Sequence, residues 1–114
     1  MLDKWGPGTQ MLLYALIFPA LEEVVFRWGL LAYLDQSFQR LRGLRANVLV
    51  SACFGLAHLW AWPWTHALAV FLPSMLLGWV WQRWGKLWVC ILVHALMNLV
   101  YLILVSSKPP GLVF

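Results

Sequence analysis

Carboxylates are scarce in this chain: four acids, Asp3, Glu22, Glu23 and Asp35, stand against eight Lys and Arg, and charged residues make up 11% of its 114 residues. A soluble domain carries about 25% charged residues, so a water-facing globular surface is excluded. Cysteine is nearly as rare. Cys53 and Cys90 are isolated in apolar segments without C-x-x-C spacing, and read as buried small apolar residues rather than a disulfide, a nucleophile or a metal pair. Internal repeats and low-complexity tracts are missing. The basic residues, which give a net charge of +4, form no patch with interleaved polar readers, so no nucleic-acid partner is expected. A cleavable signal pattern is absent too, because the first apolar run continues into a Glu-Glu-Arg cluster; a retained N-terminus is expected.

Hydrophobic residues, by contrast, make up 63% of the chain, and nine are Trp. This is the composition of an integral membrane protein. A hydrocarbon core about 30 Å thick takes about 20 helical residues, so the prediction is a single all-α, polytopic domain over residues 1–114 with four spans at most. A breaker cluster, Gly6, Pro7 and Gly8, precedes Thr9, and the spans read as 9–38, 46–60, 65–84 and 87–105, with a polar exit at 106–110. The second is short for a full crossing. Pro19 predicts a freed carbonyl and a bend in the first span, and Pro73, Ser74 and Gly78 predict a kink and close packing in the third. Trp60, Trp62 and Trp64 gather at one span end, which suits the membrane interface. Arg40, Arg42 and Arg45 fall in one loop and Arg83 with Lys86 in another, whereas the N-terminal end has Lys4 offset by Asp3 and the tail has Lys108. The positive-inside rule then places both loops in the cytoplasm and both termini outside.

The first span carries the chemistry: Leu21-Glu22-Glu23-Val24-Val25-Phe26-Arg27 sets two acids and an arginine in an apolar run. Each charge at bilayer depth costs about 2.5 to 3.5 kcal/mol, so three together need partners or a function. Glu23 and Arg27 are spaced i, i+4, stacked on one helical face with the acid N-terminal, the favourable order for an ion pair. Glu22 is turned away by about 100° and has no such local partner. Desolvated beside a second carboxylate, it is suited to act as a general base; the plainer alternative is a buried ion-pair staple between helices. His58 follows Phe54 by one helical turn, and His94 precedes Asn98 by one turn and points the same way. At about 1.5 Å per residue from the basic ends, Glu22 lies about 20 to 25 Å deep, His58 about 18 Å and His94 about 10 Å, all in the central part of the bilayer. A convergent site is predicted. His66 falls at the predicted outer interface and is assigned no role.

Together, Pro-x-x-Glu-Glu-x-x-x-Arg (Pro19, Glu22, Glu23, Arg27), Phe-x-x-x-His (Phe54, His58) and His-x-x-x-Asn (His94, Asn98), in this order over residues 19–98, resemble the motifs of the CAAX-protease and bacteriocin-processing (Abi) family of intramembrane proteases, relatives of the Rce1-type prenyl-protein endopeptidase. The resemblance implies a glutamate-dependent endopeptidase that works inside the bilayer without a cofactor. By the same resemblance, Glu22 and His58 would bind and activate the attacking water, His94 and Asn98 would stabilise the oxyanion, and Glu23, Arg27 and Phe54 would support the site. Many members carry additional helices around a four-helix core, and this chain resembles the core alone, so a homo-oligomer or a partner membrane protein is the expected complement. The implied substrate is a protein or peptide with a C-terminal tail, either prenylated or the sorting tail of a bacterial exported protein, and the implied location is the bacterial inner membrane. Two other readings stay open. A Glu with two His ligands is a zinc set, although no H-E-x-x-H pair fixes two ligands on one helix. A non-proteolytic binding or immunity protein, or a proton-conducting bundle, would use the same buried groups without cutting a bond.

Overall fold

The computed structural model describes residues 6–60 and 62–104; Asp3, Lys4, Lys108, the predicted exit at 106–110 and residue 105 of the predicted last span lie outside the described residues. Among the described residues the fold is all-helical: α1 (Pro7–Ser37), α2 (Leu44–His58), α3 (Trp64–Trp84) and α4 (Leu87–Leu104), with a 3-10 turn at Gln39–Leu41. Helices α1 and α3 are long and apolar enough to cross a membrane, and α2 and α4 are shorter apolar helices. The 15 residues of α2 rise about 22 Å, short of the hydrocarbon thickness of about 30 Å.

Helix α1 changes its winding twice. Leu13–Ile17 and Val24–Leu31 take the wider π-helical turn. The first stretch ends just before Pro19: the Phe18 N–H reaches back to the Leu13 carbonyl, and the loosened turn makes room for a ring that has no N–H to give. The helix runs on through Pro19 unbroken. The second stretch sets the buried face. Pro19, Glu23, Arg27 and Leu31 are all buried and each lies four residues after the last. In a regular α-helix every such step advances about 40°, so three would carry the stripe about 120° around and bring its end outside. The wider turns cancel that drift.

The Val24–Leu31 stretch touches α2, α3 and α4, which puts it at the middle of the bundle, while α2 and α3 make the most extensive helix pair. Where these two cross, Asn47 Nδ2 donates to the Met75 carbonyl at 2.8 Å and Ser51 Oγ donates to Asn47 Oδ1 at 3.3 Å. Gly78 permits the approach, since a Cβ there would sit 1.8 Å from Asn47 Oδ1. Gly78→Ala is therefore expected to displace Asn47, break its bond to Met75 and destabilise the fold by about 1 to 3 kcal/mol. The unfolding midpoint in detergent checks this, with Gly8→Ala, where a Cβ meets nothing within 4 Å, as the neutral comparison.

At the start of α2, one turn before Asn47, Gly43 turns the chain at φ 70°, a left-handed conformation that a Cβ disfavours. Its N–H donates to Asp35 Oδ1, and Gln82 Nε2 donates to both Asp35 Oδ2 and the Gly43 carbonyl, tying the α1–α2 loop to α3. A small apolar cluster of Leu31, Leu34, Ala46 and Val50 lies on this side of the bundle. Elsewhere the usual burial pattern is inverted. Glu23, Arg27, Ser51, Ser74, His94 and Asn98 are inside, whereas Leu21, Val25, Trp28, Leu68, Leu72 and Trp88 face outward. Such an exterior suits hydrocarbon, which tolerates exposed apolar side chains and penalises exposed charge.

Candidate active site

All four helices lend side chains to the centre, and Arg27 joins them. Its Nη1 donates to Glu23 Oε2 at 3.3 Å with neither side chain exposed, the ion pair that their spacing predicts. Its Nη2 donates to the Ser74 carbonyl and to Ser74 Oγ, the latter at 2.6 Å, and its guanidinium carbon lies 5.2 Å from the centre of the Phe54 ring. The remaining helix is reached through Glu23. Oε2 of that carboxylate lies 2.9 Å from His94 Nδ1, so Nδ1–H donates to it and Nε2 is the ring atom left for other contacts. Asn98, one turn beyond His94, is fully buried.

Glu22 belongs to a different pair. His58 Nδ1 lies 2.6 Å from the Phe54 carbonyl. A carbonyl can only accept, so Nδ1 carries the proton and Nε2 presents its lone pair. That lone pair faces Glu22 Oε2 at 3.7 Å, too far for a direct hydrogen bond. Oε2 is buried and has no hydrogen-bond partner among the described residues. Two acceptors at this separation suit one shared donor, such as a water with an O–H directed to each. With Phe26, Ala57, Trp60 and Trp62 the pair lines a cleft of about 220 Å³. A larger groove of about 450 Å³ runs along α4, lined by Val93, Leu96, Met97, Val100, Tyr101 and Leu104, but it offers no carboxylate or imidazole.

A family model described as type II CAAX prenyl endopeptidase, Rce1-like, matches residues 4–100, a span that includes every side chain named in this site. The chain belongs to the Rce1-like family. Members of this family are membrane-embedded proteases of the CAAX endopeptidase kind, and the two long apolar helices fit that setting. No curated protein and no solved structure matches the chain.

In this Rce1-like protease the two adjacent acids serve different histidines. The Phe54 ring stands near both, 4.6 Å from the His58 ring and 6.2 Å from the His94 ring. Its backbone carbonyl orients one histidine, while its ring touches both and underlies Arg27. Two site residues differ from the expectation. Ser74, read as a packing position, is the α3 partner of Arg27; its one signal is a hydroxyl beside a proline in the middle of an apolar helix. His66, expected at the outer interface without a role, is 9% exposed, with its ring 5.6 Å from His58 and 5.2 Å from Trp62. The reason is its place on the buried stripe of α3, where His66, Val70, Ser74 and Leu77 follow at helical spacing. Cys53 and Cys90 are free thiols, and Cys90 is buried. Among the described residues no three His, Cys, Asp or Glu side chains gather as a metal ion needs. Glu22 and His58 face the cleft, and His94 is held by Glu23.

Proposed function

We propose that this Rce1-like protein is a glutamate-dependent intramembrane endopeptidase that hydrolyses a peptide bond near the C-terminal tail of a membrane-associated or exported protein. The observation that carries this reading is the Glu22–His58 pair, two acceptors 3.7 Å apart at the wall of a cleft. A water that gives one O–H to Glu22 Oε2 and the other to His58 Nε2 keeps an oxygen lone pair free for the substrate carbonyl carbon. As the C–O bond forms, the pair takes the proton, and the carbonyl oxygen becomes an oxyanion. With a proton on both ring nitrogens, His94 gives Nδ1–H to Glu23 and Nε2–H to that oxyanion, Asn98 adds its side-chain N–H, and a fixed donor of this kind contributes about 10²- to 10³-fold in rate. The proton then passes to the leaving nitrogen and the C–N bond breaks, releasing a new carboxyl end and a new amine. Glu23 and Arg27 hold the His94 ring in orientation, and Phe54 holds His58.

On this reading the basic loops face the cytoplasm of a bacterial inner membrane, the termini lie outside, and a second copy or a partner membrane protein completes the walls. The substrate is a prenylated CAAX tail or the sorting tail of an exported protein. Reporters of both kinds, co-expressed with the protein and read by mass spectrometry of their product ends, test the reading. One defined cut is expected, and it should persist in purified protein after exhaustive chelation. Loss on chelation with recovery on adding zinc would turn the reading to a metalloprotease. Intact reporters in the presence of folded, membrane-inserted protein would favour the non-proteolytic alternative.

A further inference from the structure

We propose that His66 is a positioning residue that holds the His58 ring in the orientation required to serve Glu22, an inference that rests on the reading of His58 as a water-activating group. The His58 ring is restrained at Nδ1 by a bond to the Phe54 carbonyl of its own helix. One such bond leaves the imidazole free to swing about it, and a swing of about 1 Å at a reacting group can cost about 100-fold in rate. Ring packing removes this freedom. Phe54 contacts the His58 ring from α2, with centres 4.6 Å apart and planes at 49°, and His66 contacts it from α3, at 5.6 Å and 42°. Trp62 in turn backs His66, at 5.2 Å and 39°.

The backbone locks these rings in one frame. The Trp62 N–H donates to the His58 carbonyl at 2.8 Å, and the His66 N–H donates to the Pro63 carbonyl at 3.0 Å. The link from α2 to α3 is therefore anchored on His58 itself, and His66 occupies the first inward position after it. An aliphatic residue would fill that position equally well as packing against Val70, but it would present no flat face to the imidazole. His58 is 12% exposed, and the Phe54 and His66 rings supply part of the packing that covers the rest.

The test uses the full chain in nanodiscs with ¹⁵N-labelled histidine, comparing wild type, His66→Leu, which fills the space without a ring, and His66→Phe, which restores one. His66→Leu is expected to lower kcat by about 10- to 100-fold with KM nearly unchanged, and His66→Phe to recover to within about threefold of wild type. In parallel, the ¹⁵N shifts of His58 should report a single Nδ1–H tautomer in wild type and His66→Phe, and averaged nitrogens in His66→Leu. Unchanged shifts and unchanged kcat in His66→Leu would overturn the proposal. So would a His66→Phe as impaired as His66→Leu, which would assign the effect to the His66 nitrogens. The shifts are read without substrate, so if wild type cuts no reporter the endopeptidase reading fails while the positioning of His58 is still decided.

Discussion

Glu22→Gln is expected to abolish the defined cut, lowering kcat/KM by about 10²- to 10⁴-fold, while leaving the unfolding midpoint of the protein where it was. The substitution conserves size and shape but replaces a carboxylate that can take a proton by an amide that cannot. It disturbs little else. Glu22 Oε2 has no hydrogen-bond partner among the described residues, and the side chain is 24% exposed. The neighbouring acid supplies the contrast. Glu23 is fully buried and bonded to both Arg27 and His94, so Glu23→Gln should lower stability and activity together. Product ends by mass spectrometry and melting in detergent read the two quantities separately. If Glu22→Gln cuts as wild type does, Glu22 is not the base, and the reading of the buried acids as an ion-pair staple gains.

Arg27→Met should produce the largest loss of stability, about 3 to 5 kcal/mol, because it strands a buried carboxylate that the guanidinium neutralises. No other described side chain joins as much of the bundle: Arg27 meets Glu23 on its own helix, Phe54 on α2 and Ser74 on α3, and reaches His94 on α4 through Glu23. Arg27→Lys should fall between the two. An ammonium keeps the charge, but it lacks the planar fork that serves Glu23 and Ser74 at once and lies against an aromatic ring. The double variant Glu23→Gln with Arg27→Met should be less destabilised than the sum of the single variants, since the stranded charge is then gone. Denaturant unfolding of the protein in mixed micelles measures all three. An Arg27→Met protein as stable as wild type would show that the Arg27 network does not hold the helices together.

Much of this arrangement could be read before any coordinates. Low charge and a 63% hydrophobic content dictate a membrane class, and the breaker residues around Thr9, Gly43, Pro63 and Gly85 mark the helix ends to within a few residues. The Glu23–Arg27 pair was equally legible, because four residues of helix bring two side chains together whatever surrounds them. The family resemblance had set Glu22 with His58, but the cross-helix partner of Glu23 was not legible. Glu22 and Glu23 differ by one residue, and depth counting placed His94 well below both, yet Glu23 is the acid that His94 meets. Small tilts and rotations decide such contacts, and no local pattern encodes them.

The sequence by itself thus determined the solvent this protein is built for, its helices, the pairs within each helix and the set of residues with chemical potential. All of these follow from composition and the helical repeat, which act over a few residues. Only the tertiary structure decided that Glu23 goes to His94, that Ser74 completes the Arg27 cluster and that His66 lies against His58. These contacts depend on how four helices rotate against one another. That rotation is set by the wide turns of α1, which keep one face inward, and by the close approach of α2 and α3 at Asn47 and Gly78.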